Sequence, residues 1–149
     1  MATYVKYNCF AASDLPGKIH DLLGTAGSSA DNLCLALSNA TPSVSAHTIL
    51  ADVTEISTAN GYTATSPTLN TCANVGTAST GTFTLVCTDI TWSFTGADTF
   101  RYVILYNYTA TSGTGARPLI AYWDYTSSIT TANGDTFKAD FGSNTFTLT

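Results

Sequence analysis

Alternation of apolar and hydroxyl-bearing residues marks the second half of the chain. Residues 82–87 (TFTLVC) and 90–94 (ITWSF) carry an apolar side chain at every second position, which is the period of a half-buried β-strand. Six further segments have strand character, at residues 3–10, 32–38, 100–108, 119–125, 136–141 and 144–148. The pattern therefore predicts an all-β protein with about eight strands.

One segment has helical rather than strand spacing. Leu15, Ile19 and Leu22 recur every three or four residues, as they would on one face of a helix. Asp14 is a suitable N-cap, and Gly24 is a suitable stop. We predict a single short amphipathic helix between these two residues.

Turn signals separate the predicted strands. The dipeptides at 60–61 and 133–134 are both Asn-Gly, which is typical of tight turns. Two stretches rich in Ser, Thr, Asn and Gly, residues 64–80 and 109–117, are predicted to be long surface loops. Residues 49–56 fit either a helical turn or a strand.

Strands that follow one another without intervening helices favour an antiparallel sheet fold. We predict one domain over residues 1–149, a β-sandwich that is either jelly-roll-like or immunoglobulin-like. Residues 1–12 form either its first strand or an extended contact arm. The strand order does not follow from the pattern.

Composition supports this prediction, since the chain has 28 Thr and 14 Ser but only 10% charged residues. Threonine is β-branched and suits a pleated strand better than a helix. The net charge is −5, and the five basic residues are scattered singly, which argues against a nucleic-acid partner. No apolar stretch reaches the roughly 18 residues of a membrane helix, so no membrane association is expected. Without a visible secretion signal, synthesis in the cytosol is expected.

The four cysteines lack the CxxC spacing of a zinc site. Cys9 and Cys34 lie in apolar runs, which favours buried, inert thiols. Cys72 and Cys87 flank a turn-rich stretch and could form a disulfide across a hairpin. Synthesis in a reducing cytosol argues against that bond, so the pairing stays open.

Catalytic residue patterns are missing from the sequence. There is no nucleophile elbow, and the spacing does not support a pair between Cys34 and His47. His20 is expected to be an ordinary polar or core residue. Asp52 and Glu55 are three residues apart and are more consistent with capping or turn formation than with catalysis. We predict no enzymatic activity, no catalytic residue, no cofactor and no metal site.

Asp124 lies between two aromatic residues, Trp123 and Tyr125, as in some sugar-binding grooves. Strand alternation, however, puts Asp124 on the opposite face from both rings, so the three side chains are not expected to form one patch. Residues 133–135 (NGD) could bind calcium, but a hairpin turn already accounts for them.

Several short motifs together resemble a known class of proteins. These are 50–56 (LADVTEI), 60–63 (NGYT), 101–107 (RYVILYN), 118–120 (PLI) and 124–128 (DYTSS). They are similar to small virion structural proteins of tailed bacteriophages, and most similar to the capsid decoration, or cement, proteins. The resemblance extends over most of the chain, and none of its motifs is catalytic.

The resemblance implies a β-rich protein that is made in the host cytoplasm and binds the outer capsid surface of the virion. Its partner would be the major capsid protein, and it would act as a homo-oligomer, with a trimer favoured. Binding only to the mature shell would stabilise that shell. We expect Tyr4, Tyr7 and Phe10 of the N-terminal arm to contact the capsid or a neighbouring copy. The alternative is that these three residues belong to the core.

Two other functions remain open. A carbohydrate-binding adhesion module on a tail or fibre would present exposed aromatic residues on one face, with Tyr108, Tyr122 and Trp123 as candidates. A neck or tail protein would instead form rings. Retention on capsids or on cell-surface glycans would distinguish these functions.

Overall fold

A computed structural model describes residues 2–14, 20–22, 31–66, 71–72, 74–79, 81–110 and 117–148, with the backbone alone described between 71 and 79. The strands within these ranges are β1 Thr3–Lys6, β2 Leu33–Ser38, β3 Thr71–Cys72, β4 Asn74–Ser79, β5 Thr82–Cys87, β6 Ile90–Ser93, β7 Thr99–Asn107, β8 Leu119–Thr130, β9 Thr136–Ala139 and β10 Phe146–Leu148. A π-helical turn covers Phe10–Asp14, and a 3-10 turn covers Leu50–Asp52.

These strands form three antiparallel sheets. The largest has five strands in the order β1-β8-β7-β2-β3, the second has the order β10-β5-β4, and the third pairs β6 with β9. The predicted all-β, antiparallel class is therefore confirmed. The jelly-roll or immunoglobulin type of the sandwich stays a prediction.

The main hydrophobic core lies between the five-stranded sheet and the two smaller sheets. On the large sheet, β2 contributes Leu33, Leu35 and Leu37 to this core, and its register brings Leu35 opposite Leu105 of β7. The smaller sheets contribute every second residue of their strands, such as Leu85 and Cys87 of β5, Ile90 and Trp92 of β6, and Phe146 of β10. This is the two-residue period on which the strand prediction depended.

A second core covers the opposite face of the five-stranded sheet. Cys34 and Ala36 of β2 alternate with the leucines and point into this second cluster. Leu50 and Val53, from the segment that includes the 3-10 turn, cover the same face. All six residues of β2 are consequently buried, which explains why the first five are continuously apolar rather than alternating.

Most of the predicted helix falls on residues that the structure does not describe. Residues 15–19 and 23–24 lie outside the described residues, and residues 20–22 are not helical. A π-helical turn that was not predicted precedes this segment and ends at Asp14. Phe10 is fully buried at the start of this turn, and the Ser13 hydroxyl donates to the Cys9 carbonyl at 2.9 Å.

The stretch 64–80 was expected to be a loop, and that expectation was wrong for part of it. Strands β3 and β4 lie within it, and all six residues of β4 pair with β5. The hydroxyl-rich sequence of β4 shows no apolar alternation, so its strand conformation depends on the partner strand. In the predicted loop at 109–117, residues 111–116 lie outside the described residues.

Both Asn-Gly dipeptides form turns. Asn60 and Gly61 both have positive φ, at 48° and 90°, and backbone hydrogen bonds join Ala59 and Tyr62 in both directions. This is the pattern of a tight hairpin turn. A Cβ atom on Gly61 would overlap the carbonyl oxygen of Ser93. A glycine is therefore required at position 61 for two reasons: the positive φ of the backbone and the close approach of Ser93 of β6.

Replacing Gly61 by alanine is expected to destabilise the protein by about 3 kcal/mol or more, because left-handed strain adds to the clash with Ser93. Gly134 provides a matched control, since its φ is 92° and no described atom lies within 4 Å of a built Cβ. Gly134→Ala should cost only about 1 kcal/mol. Chemical denaturation of both variants measures the difference, and equal losses would contradict the role assigned to Ser93.

Candidate functional site

The outer edge of the five-stranded sheet is formed by β1, which pairs with β8 alone among the described strands. The Tyr7 N–H donates to the Ile120 carbonyl at 3.1 Å. This bond shows that the backbone groups of every second residue, counted back from Tyr7, point towards β8. Thr3 and Val5 therefore bond towards β8, and the backbone groups of Tyr4 and Lys6 point to the open side. A second strand could pair with β1 there.

Tyr4 lies at this edge. Among the large hydrophobic residues that the structure describes, it is the most exposed, at 37%. Its ring lies 5.6 Å from that of Trp123 and 6.4 Å from that of Phe146, measured between centroids. Partial burial raises the pKa of the Tyr4 hydroxyl to about 12. Tyr4 is thus a partly exposed aromatic residue packed on neighbouring rings, a residue type that is common in protein interfaces.

The other two residues predicted to make contacts have different surroundings. Tyr7 and Phe10 are both 0% exposed. Tyr7 packs edge-on against Tyr122 in the second core, and Phe10 packs against Phe146 in the main core. The N-terminal segment is therefore a sheet strand followed by a core anchor rather than an extended arm. Of the three predicted contact residues, Tyr4 alone is accessible.

The aromatic residues proposed for an adhesion surface do not share a face. Trp123 packs against the main core, and Tyr108 and Tyr122 pack against the second core on the other side of the sheet. The guanidinium carbon of Arg117 lies 4.7 Å from the Tyr108 ring centroid, as in a cation–π contact. The side chains therefore do not form the single exposed cluster that the adhesion hypothesis requires.

Asp124 faces away from both neighbouring aromatic residues, as strand alternation predicted. Its two carboxylate oxygens accept from Arg101 Nε at 2.7 Å and from Arg101 NH2 at 2.8 Å. This paired hydrogen bonding lowers the pKa of Asp124. The carboxylate is thus bound to Arg101 on one face of the sheet, and Trp123 and Tyr125 pack on the other face.

Asp52 and Glu55 both act in chain turns. Asp52 Oδ2 accepts from the backbone N–H groups of Thr48 (2.8 Å) and Ile49 (3.2 Å), and these bonds lower its pKa. Glu55 accepts from the Tyr62 hydroxyl and from the Thr65 backbone N–H. Both carboxylates thus accept hydrogen bonds from neighbouring stretches of chain, as expected for residues that stabilise turns.

Cys9 is half-buried, and burial raises the pKa of its thiol to about 11, which makes it a poor nucleophile. Of the Cys34 and His47 pair that was considered from the sequence, Cys34 is buried beside Tyr106. The Nδ1 atom of His47 accepts a hydrogen bond from the Ser43 N–H at 3.3 Å.

Strand register bears on the proposed bond between Cys72 and Cys87. Cys87 lies opposite Asn74, and Cys72 lies opposite Leu33 of the large sheet. The side chain of Cys72 lies outside the described residues, so the disulfide stays a prediction.

A buried polar network at the end of β7 was missed by the sequence reasoning. Asn107 is completely buried, and its Nδ2 atom donates to Asp31 Oδ2 at 2.6 Å and lies 2.9 Å from His20 Nδ1. Its Oδ1 atom accepts from the N–H groups of Thr109 and Ala110 at 3.0 and 2.9 Å. One amide thereby joins three separate stretches of chain.

The network determines the protonation of His20. Both acceptor bonds hold Asn107 Oδ1 in place, so Nδ2 is the atom that faces the imidazole, and Nδ1 of His20 must accept. The remaining ring proton is then on Nε2, 3.7 Å from Asp14 Oδ2. Burial lowers the pKa of His20 despite the opposing effects of Asp14 and Asp31. The histidine is a neutral structural acceptor.

The described residues contain no cluster of three or more His, Cys, Asp or Glu side chains that could hold a metal ion. At the proposed calcium turn, Asp135 Oδ2 accepts from the Ala132 N–H at 2.8 Å. Within the same ranges, no helix is long and apolar enough to span a bilayer.

Comparison with protein-family models, with curated proteins and with solved structures finds no match to this chain. Functional inference therefore depends on the residues and their geometry.

Asn107→Ala is expected to destabilise the protein by about 3 kcal/mol, since it leaves the Asp31 carboxylate and two N–H groups without their buried partner. Asn39→Ala serves as a control, because Asn39 is exposed and accepts one bond from Ser128. Its loss should stay within about 0.5 kcal/mol. Urea denaturation measures both values, and similar losses would contradict the structural role of Asn107.

Acidification should destabilise the fold through His20. Because burial lowers its pKa in the folded state, the unfolded chain binds more protons as the pH falls below about 6.5. Above that pH, His20 makes its full contribution to the free energy of unfolding. As the pH falls towards the lower pKa of the folded state, this contribution decreases by at most about 1.4 kcal/mol per pH unit. Unfolding free energies measured from about pH 7 to about pH 5, the range in which histidine ordinarily titrates, test this.

His20→Gln, which keeps an acceptor but cannot titrate, should flatten this pH dependence, and His47→Gln should leave it in place. An unchanged slope in His20→Gln would show that another group is responsible.

Proposed function

We propose that this chain is a non-catalytic structural protein of a tailed-phage virion, which binds the outer surface of the mature capsid as a decoration protein. The resemblance noted in the sequence suggests the class. The observation that carries the proposal is the open edge of β1, where Tyr4 and Lys6 direct backbone donors and acceptors outwards. Strand addition at such an edge is a common way to bind another protein.

The side chains of β1 are compatible with a specific partner. Lys6 puts a charge on the edge, which disfavours indiscriminate pairing between copies of the unbound protein. A partner strand with a carboxylate near Lys6 would remove that penalty. Tyr4 would then pack between the two proteins as a rigid aromatic anchor.

The charge distribution also supports a protein partner. Arg101 is paired with Asp124, and Lys138 Nζ lies 2.6 Å from Asp89 Oδ2. Arg117 lies over the ring of Tyr108. With these cations engaged within the chain, the described surface has no basic stripe for a phosphate backbone. Neutral hydroxyl groups dominate instead, as exposed Thr126, Ser127 and Ser128 of β8 illustrate.

The proposal is tested on the parent phage's own expanded shells after the protein has been stripped from them. Purified protein is added, and the particles are imaged by electron microscopy. Density at regular positions where capsid subunits meet, with three-fold clusters, is the expected result. Density confined to the vertex or tail would favour a neck or tail protein, and retention on host glycans but not on shells would favour adhesion.

Tyr4→Ser should weaken shell binding by about ten-fold, because it removes the accessible ring of the β1 edge. Tyr108→Ser is the control, since this half-buried tyrosine packs on the other face of the sheet. Quantitative sedimentation with shells measures both affinities. If both variants bind like the unmodified protein, β1 is not the contact surface.

A further inference from the structure

A cavity of about 270 Å³ opens at the margin between the five-stranded sheet and the end of β9. Val103 and Trp123 of the large sheet line one side, and Asp140 and Phe141, which follow β9, line the other. Tyr125 also contributes to the wall. The cavity adjoins the β1 edge, since Ala2 also lines it and Trp123 packs against Tyr4, but it offers a pocket rather than a strand edge and so goes beyond the proposed capsid function.

The aromatic walls meet at steep angles. The rings of Trp123 and Phe141 are 5.3 Å apart between centroids, with 63° between their planes. Tyr125 is held by Phe137 at 5.5 Å and 69°. Because the Trp123 and Phe141 rings are inclined rather than coplanar, the three lining rings, here called the ring box, suit a compact group better than a broad ring stacked on one face.

The charges at the rim have a negative balance. Lys138 Nζ lies 2.6 Å from Asp89 Oδ2 and 3.3 Å from Asp140 Oδ2, so one ammonium group is shared by two carboxylates. Asp140 is the acidic residue among those that line the cavity, and its side chain is 62% exposed at the rim. A cation entering the box would therefore find both aromatic rings and incompletely neutralised negative charge.

Hydrogen bonds hold this wall in position before any ligand arrives. Asp89 Oδ1 accepts from the Phe141 N–H at 2.9 Å, and Asp140 Oδ1 accepts from the Gly142 N–H at 2.9 Å. Gly142 has a φ of 58°, which allows the chain to turn directly after Phe141. Binding would require little ordering of the site, which favours affinity for small ligands.

We propose that this cavity binds a small organic cation with an alkylated ammonium group. The ring box would contact the alkyl groups and the positive charge, and Asp140 would supply the opposite charge. Lys138 competes with such a ligand for Asp140, so the structure makes opposite predictions for the two side chains. Removal of the carboxylate weakens binding, and removal of the ammonium strengthens it.

The test uses choline as the probe and 3,3-dimethylbutan-1-ol as its uncharged counterpart of the same shape. Titrations are followed through the two indole N–H resonances, with Trp92, which is buried in the core, as internal reference. Choline should shift the Trp123 resonance in a saturable manner and bind at least roughly five-fold more tightly than the alcohol.

Variants at the rim separate a cation site from a sugar site. Asp140→Asn should weaken choline binding by roughly five-fold, and Lys138→Gln should strengthen it by a similar factor. Asp135→Asn, just before the other end of β9, should leave it unchanged. Equal binding of the alcohol, no gain in Lys138→Gln, or tighter binding of a monosaccharide such as glucose would each overturn the proposal.

Discussion

The structure depends on the burial of one sheet on both of its faces. Strands β2 and β7 lie in the middle of the five-stranded sheet, with the main core on one side and the second core on the other. Most of their side chains are buried, so a buried polar group there must find its partners within the protein. Ser38 does so by accepting from the Ala40 N–H and donating to the Thr54 carbonyl at 2.6 Å. Asn107 does so through the network with His20 and Asp31.

This burial also determines where the protein can meet a partner. With the middle of the large sheet covered on both faces, two accessible features among the described residues are its edge at β1 and the cavity at its margin. The first offers backbone hydrogen bonds, and the second offers aromatic rings and a carboxylate. Two kinds of ligand, an extended chain and a compact cation, correspond to these two features.

Local patterns predicted the strands with alternating side chains best. The interval 82–87 matches β5, and the Asn-Gly turn at 60–61 was also predicted, because each depends on short-range backbone preferences. Strand β4 was missed because its partner, not its own sequence, gives it structure. The separation of Asp124 from Trp123 and Tyr125 followed from alternation alone.

Long-range contacts could not be predicted. The side-chain partners of Asn107 lie 76 and 87 residues away in the chain, and an Asn after an apolar run looks like an ordinary strand end. Burial of Tyr7 and Phe10 depends on Tyr122 and Phe146, which no local window contains. The cavity likewise joins residues of β7 and β8 with the chain that follows β9.

Hydrogen–deuterium exchange, measured on the unbound protein and on the protein bound to capsid shells, tests the central claim most directly. The account predicts that binding slows exchange in β1, at the outward N–H groups of Tyr4 and Lys6, because these acquire partners on the shell. Strands β2 and β7 should already be protected in the unbound protein. Unchanged exchange in β1, with new protection confined to another part of the surface, would contradict the account.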